Sequence, residues 1–536
     1  MKLNKYSIEN EKLLWERANI KLPAFDIDAM RLATKKNPEW VHFGAGNIFR
    51  GFIGSIAQRL LESGEMKSGI VACDTFDSDI IDEIYAKHDQ LTLNVTLNGD
   101  GTTSSEVLAG VAESIKADFS NEAGKKRLFE IFETGSLKMV SFTITEKGYQ
   151  TKGPDGSLLK IVADDIENGP DSPRHAMSIV ASLLYHRFLR GGQPLTLVSM
   201  DNCSHNGEKL RNAVLAVAKA WVDKGKADGR FYDYVSNEKI VSFPWTMIDK
   251  ITPRPHAKVE EMLVALGVED IAPIVTSRKT YIAPFVNAEK AQYLVVEDRF
   301  ANGKLPLDKA GVYMTDRQTV NKAEKMKVTT CLNPLHTAMS MFGCLLGYTL
   351  ICDEMRDGDI VALVKRLGYV EGLPVVIDPG IIAPKTFLDE VVNERLPNPF
   401  MPDDPRRIAT DTSQKVGIRF GETIKSYIAS NRSLDDLVAL PLAIAAWLRY
   451  LLAKDDNGND IEVSADPLKE ELQRKLSAVQ WNNAGSCRGE VTEILANETI
   501  FGLNIAQTSL APRIGQYFKS MLAGPGSVRA ALKIIK

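Results

Sequence analysis

The chain has 536 residues, of which 44% are hydrophobic, so it can build two or more substantial cores. The formal charge of −4 is small, and basic and acidic residues are interspersed along the chain. This pattern excludes the basic stripe of a nucleic-acid-binding protein and the polybasic segment of a membrane-surface protein. The longest apolar run, residues 437–448, contains a proline and is shorter than the roughly 20 residues needed to cross a bilayer. We therefore expect a globular protein whose partner is a small molecule, with no nucleic acid and no membrane involved.

The cysteines and the first residues of the chain indicate a compartment. The six cysteines show neither CxxC pairing nor histidine-flanked spacing, so we expect neither a zinc site nor a disulfide framework. Residues 1–23 carry charges throughout and have no apolar core, which argues against a secretory signal. The sequence thus predicts a protein of the reducing cytoplasm with no bound metal.

After an N-terminal extension, residues 1–38, short strand-like runs alternate with helical patterns up to about residue 300. The runs are WVHFGAG (40–46), GIVACDTF (69–76), MVSFTIT (139–145), LTLVSMDN (195–202), KIVSFPW (239–245) and YLVVED (293–298). This alternation indicates βαβ crossovers and a mainly parallel sheet, and several runs end in polar residues, as strands do at a ligand-binding edge. The sequence predicts an α/β, Rossmann-type dinucleotide-binding domain over residues 1–300.

Beyond residue 300 the pattern becomes helical. Long helical stretches include LHTAMSMFGCLLGYTLICDEM (335–355) and PLAIAAWLRYLLA (441–453), and the longest apolar run is expected to be a buried helix. Residues 371–405 are rich in proline and acids, which favours a surface loop between helices. We predict a mostly α-helical second domain over residues 301–536, which carries substrate and catalytic residues.

The stretch VHFGAGNIFRGF, residues 41–52, ends an apolar run in a glycine turn. Gly44 and Gly46 occupy the first two positions of Gly-x-Gly-x-x-Gly, where the first glycine makes a tight turn and the second lets the backbone approach a pyrophosphate. Apolar residues at four-residue spacing follow, so a helix should begin near Asn47 and aim its N–H groups at an anion. Phe49 stands where the third glycine is expected. The alternative is that Gly44 and Gly46 form only a tight turn.

Asp74 favours the cofactor interpretation. It ends the run GIVACD, where a carboxylate can accept hydrogen bonds from the ribose hydroxyls of NAD but would repel the 2′-phosphate of NADP. The next residues, Thr75, Phe76 and Asp77, supply no arginine to neutralise that phosphate. The sequence therefore predicts NAD as the cofactor, with NADH preferred over NADPH and the preference narrowed by Asp74→Ala.

Seven segments carry a family resemblance. They are GAGNIFRG (44–51), TITEKGY (143–149), SMDNCSHNG (199–207), FPWTMIDKITP (243–253), YLVVEDRF (293–300), EKMKVTTCLNPLH (324–336) and RIATDTSQK (407–415). In this order they resemble the polyol-specific long-chain dehydrogenases, the family of mannitol dehydrogenase and mannonate oxidoreductase (fructuronate reductase). The resemblance implies a zinc-independent, NAD(P)-linked enzyme that interconverts a secondary alcohol and a ketone on an open-chain sugar acid or polyol. The expected cofactor-binding residues are Gly44, Gly46, Asn47, Phe49, Arg50, Asp74 and Glu146.

Removal of a hydride from a secondary alcohol leaves a proton that, without a metal, a positioned side chain must take. A lysine can do so when burial or a nearby positive charge brings its pKa toward neutrality. By resemblance, Lys327 is the general acid/base and Glu324 lies near its proton path. Asn333 and Asn202 help to hold the substrate oxygen, and His336 orients the site.

Each of these residues also has a simpler interpretation. Lys327 alone is typical of a solvated lysine, and His336 of a hydrogen-bonded core histidine beside an apolar stripe. Asn202 at a strand end is typical of a turn. Their joint match to the family favours catalysis. A non-catalytic dinucleotide-binding sensor is the alternative of a different class, and it predicts the loss of this set, which is present here.

The spacing of Lys327 and Asn333 departs from the family. They are six positions apart, whereas the family usually has five, and on a regular helix the extra residue turns the lysine by ~100°. A π-bulge would absorb the extra residue, and Pro334 lies where such a bulge leaves a carbonyl unpaired. Alternatively, a new helix starts at Pro334 with Asn333 as its cap, and Lys327 lies on a separate segment.

An acidic substrate needs cationic anchors, because the guanidinium fork matches a carboxylate. Arg407 and Lys415 match the family's substrate-binding pair, and Asp249 can accept from a sugar hydroxyl, although all three would be unremarkable as surface charges. We expect interconversion of D-mannonate and D-fructuronate, with mannitol, another polyol or tagaturonate as alternative substrates. The sequence carries no signal for an oligomeric state.

Overall fold

A computed structural model describes residues 1–535, and the chain divides into two compact units. The first unit comprises residues 1–98 and 102–321, and the second begins at residue 322 and also takes in residues 99–101. The predicted division after residue 300 falls inside the first unit, because a strand at Tyr313–Thr315 pairs with the strand Tyr293–Glu297.

The strands of the described chain all lie in the first unit. They are β1 (Ile20–Lys21), β2 (Trp40–Phe43), β3 (Ile70–Asp74), β4 (Thr92–Leu97), β5 (Thr103–Leu108), β6 (Val111–Lys116), β7 (Met139–Phe142), β8 (Leu195–Ser199), β9 (Val241–Ser242), β10 (Thr246–Asp249), β11 (Ile274–Val275), β12 (Tyr281–Ile282), β13 (Phe285–Glu289), β14 (Tyr293–Glu297) and β15 (Tyr313–Thr315).

The main sheet has six strands in the order β6-β3-β2-β7-β8-β9, and every neighbouring pair is parallel. This is the strand order of a Rossmann fold, as predicted. Strands β2, β3, β7 and β8 are buried along their whole length, which is why they read as continuous apolar runs in the sequence. The strand order reverses between β2 and β7, so the crevice at their carboxyl ends is the expected ligand position.

Three smaller sheets complete the first unit. Their orders are β1-β5-β4-β13, β10-β14-β15 and β11-β12. The run YLVVED forms β14 and pairs antiparallel with β10, so it lies outside the parallel sheet in which the sequence placed it. It is a central strand that pairs with β10 on one edge and with β15 on the other. The apolar run alone does not show which strands it pairs with.

Helices connect the strands of the first unit and build most of the second unit. Those that begin before residue 322 are Lys5–Asn10, Lys12–Arg17, Ile27–Lys36, Gly54–Glu62, Glu122–Glu133, Thr145–Gly148, Lys160–Asn168, Ala176–Leu189, Asn206–Asp223, Phe231–Ser236, Ala257–Ala265 and Arg317–Met326. The later helices are Asn333–Leu346, Ile351–Glu354, Gly358–Lys365, Pro384–Glu390, Pro405–Ile408, Glu422–Ala429, Ala439–Tyr450, Lys469–Lys475, Glu490–Leu495, Glu498–Phe501, Leu510–Ser520 and Ser527–Leu532.

The helix Ala439–Tyr450 is the core of the second unit, because all of its residues are buried. The prediction of a buried helix at this apolar run is thus confirmed. Residues 371–405, by contrast, are not a plain loop, since they contain the helix Pro384–Glu390 and a π-helical turn at Val391–Arg395. Proline at the first helical position favours a helix start, so the proline count misled the sequence reading. Up to residue 535, no helix combines the length and apolar character needed to span a membrane.

Candidate active site

The glycine turn after β2 has the geometry of a dinucleotide-binding loop. Gly44 has φ +103°, and a Cβ there would lie 2.1 Å from the carbonyl oxygen of Thr143, so only glycine fits. A Cβ on Gly46 would meet nothing within 4 Å, so a ligand can approach this backbone. The helix begins at Asn47, as predicted, and aims its first N–H groups at the same space.

Phe49 replaces the third glycine by packing inward. Its ring is fully buried and stacks on His42 with the ring centroids 4.2 Å apart. A π-helical turn, Phe49–Ile53, begins there. The close backbone approach moves to Gly51, where a Cβ would lie 2.8 Å from Cγ1 of Val286. Phe49 therefore packs in the interior, whereas Gly44 and Gly46 line the cavity at this turn.

Arg50 ties the segment after the glycine turn to the backbone of residues 283–284. It is 1% exposed, and it donates to the carbonyl oxygens of Ala283 and Pro284 at 2.7 Å each. Burial lowers the pKa of its guanidinium to about 10. This arginine was predicted to bind the cofactor, but its donors are used by the protein, so we assign it a supporting position.

The first unit has a cavity of about 570 Å³ at the carboxyl ends of β2, β3 and β7, which lies within the usual size range of small-molecule sites. Of the predicted cofactor residues, Gly44, Gly46 and Asp74 line it. Asn47, Phe49, Arg50 and Glu146 are not among its lining residues. Glu146 is exposed and forms an ion pair with Lys209.

Asp74 is built into the turn. Its carboxylate accepts from the backbone N–H groups of Ala45 at 3.0 Å, Phe76 at 2.8 Å and Asp77 at 2.7 Å. Burial raises the pKa of this carboxyl group, and the three hydrogen bonds oppose the rise. Asp74 therefore fixes the glycine turn and the segment after β3, in addition to facing the cavity.

A second acid, Asp77, faces the same cavity with an unused oxygen. The residue is 2% exposed, its Oδ2 accepts from Thr276 Oγ1 at 2.6 Å, and its Oδ1 has no hydrogen-bond partner among residues 1–535. An arginine from another segment also lies nearby, because Arg278 is 5.2 Å from the centroid of the Phe76 ring. It comes from a segment 200 positions away in sequence, which no local pattern could reveal.

Asn202 and Asp249 lie in the first unit at strand ends. Asn202 is exposed and follows β8, and Asp249 is the last residue of β10 and is 5% exposed. The buried Asn206 joins the end of β8 to the start of β10, since its Nδ2 donates to the carbonyl oxygen of Asp201 at 3.0 Å and to Thr246 Oγ1 at 2.8 Å. The backbone just before Asn202 is therefore fixed by the hydrogen bond from Asn206 to the Asp201 carbonyl oxygen.

Lys327 lies in a π-helical turn of the second unit. The helix Arg317–Met326, which carries the half-buried Glu324, continues directly into a π-helical turn at Lys327–Cys331. The N–H of Leu332 donates to the carbonyl oxygen of Lys327 at 3.1 Å, the spacing of a π-bulge. Lys327 is only 3% exposed, in contrast to Lys325, which is exposed. Burial penalises the charged form of an amine, which is the setting that proton transfer by lysine requires.

Both proposed explanations of the lysine–asparagine spacing apply in part. After the π-turn, Leu332 leaves helical geometry with φ −131° and ψ −64°, and a new helix starts at Asn333 with Pro334 in its first turn. Leu332, rather than Asn333, is the N-cap. Asn333 therefore lies inside the first turn of the helix that also carries His336.

His336 is surrounded by cationic side chains. It is half-buried, and its pKa is lowered to about 4, mainly by burial and further by Arg419, Arg395 and Arg407. Asp403 acts in the opposite direction. The imidazole is therefore neutral at physiological pH and can donate or accept a hydrogen bond.

The two predicted cationic anchors, Arg407 and Lys415, are accompanied by Arg419. Arg407 is exposed and pairs with Asp403, and Lys415 donates to the carbonyl oxygen of Thr410. Burial, together with Arg419 and Arg407, lowers the pKa of Lys415. Because Arg419 and Arg407 both lower the pKa of Lys415, the three cations belong to one electrostatic cluster of the second unit.

Arg419 differs from Arg407 because it forms no ion pair with a carboxylate of the described chain. It is half-buried, it donates to Thr337 Oγ1, and within residues 1–535 it takes part in no ion pair. Burial lowers its pKa to about 10. Arg419 is not among the residues predicted from the sequence, although it follows Lys415 by four positions in the same run, RIATDTSQKVGIR. An unpaired, partly desolvated guanidinium is a receptor for an anion.

Two family models match the chain in consecutive regions. The mannitol dehydrogenase Rossmann domain matches residues 38–309, and the mannitol dehydrogenase C-terminal domain matches residues 319–522. Among relatives, a Thermotoga maritima protein named D-mannonate oxidoreductase is 47% identical over 99% of this chain and 98% of its own length. A Gluconobacter oxydans protein named polyol:NADP oxidoreductase is 30% identical over 88% of this chain and 90% of its own length.

Solved structures of polyol dehydrogenases are also similar to this chain. The Pseudomonas fluorescens mannitol 2-dehydrogenase, in a ternary complex with NAD and D-mannitol, has a TM-score of 0.70 at 26% identity and covers 100% of this chain and 99% of its own. A D-sorbitol dehydrogenase in substrate-free form has a TM-score of 0.74 at 26% identity, with 94% of both chains covered. With both domains matched in order and along most of their length, the chain belongs to the mannitol dehydrogenase family.

Proposed function

We propose that this protein is an NAD-dependent oxidoreductase that interconverts D-mannonate and D-fructuronate. The observation that carries the choice of a sugar acid is Arg419, a half-buried guanidinium without an acidic partner, in the cation cluster around His336. A neutral polyol has no negative group to pair with this guanidinium, whereas a carboxylate accepts two charge-assisted hydrogen bonds from it. The relative from Thermotoga maritima, 47% identical, supports the same substrate pair.

The residues of the first unit fit a dinucleotide. The backbone of Gly46 is open to a ligand, the helix beginning at Asn47 directs N–H groups outward, and Asp77 Oδ1 is buried without a partner. N–H groups at a helix start bind phosphate, and a buried carboxylate oxygen accepts from a ribose hydroxyl. The nicotinamide ring of the bound cofactor supplies the hydride acceptor or donor.

The remaining groups handle the proton and the substrate. We assign Lys327 to the transfer of the hydroxyl proton, because the family resemblance places the general acid/base there and the side chain is only 3% exposed. The amides of Asn333 and Asn202 donate to the substrate oxygen and stabilise its negative charge as an alkoxide develops. The neutral His336 orients the hydroxyl, and Arg407, Lys415 and Arg419 anchor the carboxylate, with Asp249 accepting from a sugar hydroxyl.

A substrate panel tests this assignment. The decrease in NADH absorbance is followed with D-fructuronate, D-tagaturonate and D-fructose at matched concentrations. We expect the highest kcat/KM with D-fructuronate. A higher kcat/KM with D-fructose would reject the sugar-acid assignment in favour of a mannitol 2-dehydrogenase, and a higher value with D-tagaturonate would change the stereochemical assignment only. The absence of turnover with every compound, in either direction, would favour a non-catalytic sensor.

Cofactor preference distinguishes the two acids of the cavity. We expect NADH to be preferred over NADPH, because Asp74 and Asp77 both oppose a 2′-phosphate. Asp77→Ala should narrow the preference, since its free oxygen is removed while the turn is kept. Asp74→Ala should weaken both cofactors, because it removes the acceptor for three backbone N–H groups.

These outcomes are read as kcat/KM for NADH and NADPH, with Arg278→Ala as a matched variant that removes the nearby cation. A wild-type preference for NADPH would show that Arg278 dominates over the two acids. Equal effects of the two aspartate variants would show that Asp77 has no separate role.

Chelators should leave activity intact. Within residues 1–535, no group of three or more histidine, cysteine or acidic side chains is arranged to hold a metal ion. The measurement is kcat before and after prolonged dialysis against EDTA. Inactivation that added zinc reverses would contradict a mechanism in which Lys327 takes the proton.

A further inference from the structure

Thr145 has an unusual backbone conformation at the edge of the cofactor cavity. Its φ is +65°, which is rare for a β-branched residue because the side chain crowds the backbone. The residue follows β7, starts the short helix Thr145–Gly148 and lines the 570 Å³ cavity. The residue before it, Ile144, provides no side-chain cap. Such a conformation persists only where surrounding groups hold it.

The side chain of Asp201 provides this hold from the end of the neighbouring strand, β8. Its Oδ1 accepts from the N–H of Thr145 at 2.8 Å, and its Oδ2 accepts from the N–H of Ile144 at 3.0 Å and from the hydroxyl of Tyr149 at 2.6 Å. Asp201 is 8% exposed, and the Tyr149 hydroxyl is also hydrogen-bonded to Ser199 Oγ at 2.8 Å. Both carboxylate oxygens are therefore committed to residues 144–149.

We propose that Asp201 is a positioning residue, which holds the loop 143–149 in the strained form that lines the cofactor cavity. Because Asn202 is the next residue, the same contacts fix the start of the segment that carries this amide. The expected effect of this loop on NADH binding rests on the proposed function, in which the protein uses NAD as its cofactor. The hydrogen bonds between Asp201 and residues 144–149 are present without cofactor, so their role can be tested in the cofactor-free protein.

Two substitutions separate this link from a general loss of stability. Asp201→Asn keeps the shape of the side chain but replaces one acceptor oxygen with an NH2 group, which then faces an N–H or O–H donor. Thr145→Gly removes the side chain that makes the positive φ costly. In the double variant the loop should recover part of its native order, because glycine adopts the positive φ at lower cost without the carboxylate.

The first measurement is hydrogen–deuterium exchange of the segment 143–149 in the cofactor-free protein. We expect faster exchange in Asp201→Asn and a rate between this and the wild-type rate in the double variant. The second is the Kd for NADH by fluorescence titration, expected to be roughly tenfold weaker in Asp201→Asn and partly restored in the double variant. Asp223→Asn, which removes an exposed carboxylate on another helix, is the control.

Wild-type exchange in Asp201→Asn would overturn the proposal, as would a double variant that exchanges and binds no better than Asp201→Asn. If Asp201→Asn does not fold, Tyr149→Phe takes its place, because it removes one of the three donors, and the same comparison with Thr145→Gly applies. If the wild-type protein does not bind NADH, the cofactor assignment fails, and the exchange measurement still decides the role of Asp201.

Discussion

Lys327→Ala should lower kcat by roughly 10²- to 10⁴-fold, the usual contribution of a general acid/base. The lysine is 3% exposed and lies in the π-helical turn Lys327–Cys331, so alanine removes a buried amine from a structured turn. NADH binding should be nearly unchanged, because the cofactor cavity is lined by residues of the first unit. The two measurements are kcat with D-fructuronate and the Kd for NADH by fluorescence titration.

Lys325→Ala is the matched control, since this lysine is two positions earlier and exposed. It should retain wild-type kcat. Retained turnover in Lys327→Ala together with a loss in Lys325→Ala would transfer the acid/base role to the exposed lysine. Loss of NADH binding in Lys327→Ala would show that its effect is on the structure rather than on the proton.

Arg419→Ala should raise KM for D-fructuronate and lower kcat/KM by about 10- to 100-fold, the range for loss of a hydrogen bond to a charged group. Any activity on D-fructose should change much less, because that substrate has no carboxylate. Arg419→Lys keeps the charge but loses the forked geometry, so an intermediate value is expected. The measurement is kcat/KM for both substrates in each variant.

Arg356→Ala is the control for loss of an arginine from the second unit, since Arg356 is exposed and paired with Asp353. An equal loss of activity on D-fructuronate and D-fructose in Arg419→Ala would reject carboxylate recognition. It would leave Arg419 a role through Thr337, whose hydroxyl it contacts.

The same variant should change the pH dependence at His336. Burial and three arginines hold the pKa of this histidine at about 4, below its value in an unfolded chain of about 6.5. As pH falls from about 6.5 to 4, the unfolded chain takes up a proton that the folded protein does not, so the free energy of unfolding falls over this window.

Removing Arg419 removes one cause of the lowered pKa of His336. The acidic limb of kcat/KM should therefore move to higher pH in Arg419→Ala, and an unmoved limb would assign that limb to another group.

The sequence by itself determined the features that depend on local physics. Short apolar runs that end in polar residues identified five strands of the Rossmann sheet, because parallel strands buried on both faces must be largely apolar throughout. The glycine turn, the helix start at Asn47 and the buried helix Ala439–Tyr450 follow from the same kind of rule. The family resemblance, carried by ordered motifs, indicated the chemistry that the domain matches support.

Only the tertiary structure decided which side chains keep unused hydrogen-bonding capacity. Arg50 and Arg419 are both arginines near family motifs, yet the donors of Arg50 are bound by carbonyl oxygens of Ala283 and Pro284, and Arg419 has no carboxylate partner. Asp74 holds three backbone N–H groups while Asp77 keeps a free oxygen. These differences arise because the partners come from segments distant in sequence, and a hydrogen bond depends on distance and angle in space, which residue order does not contain.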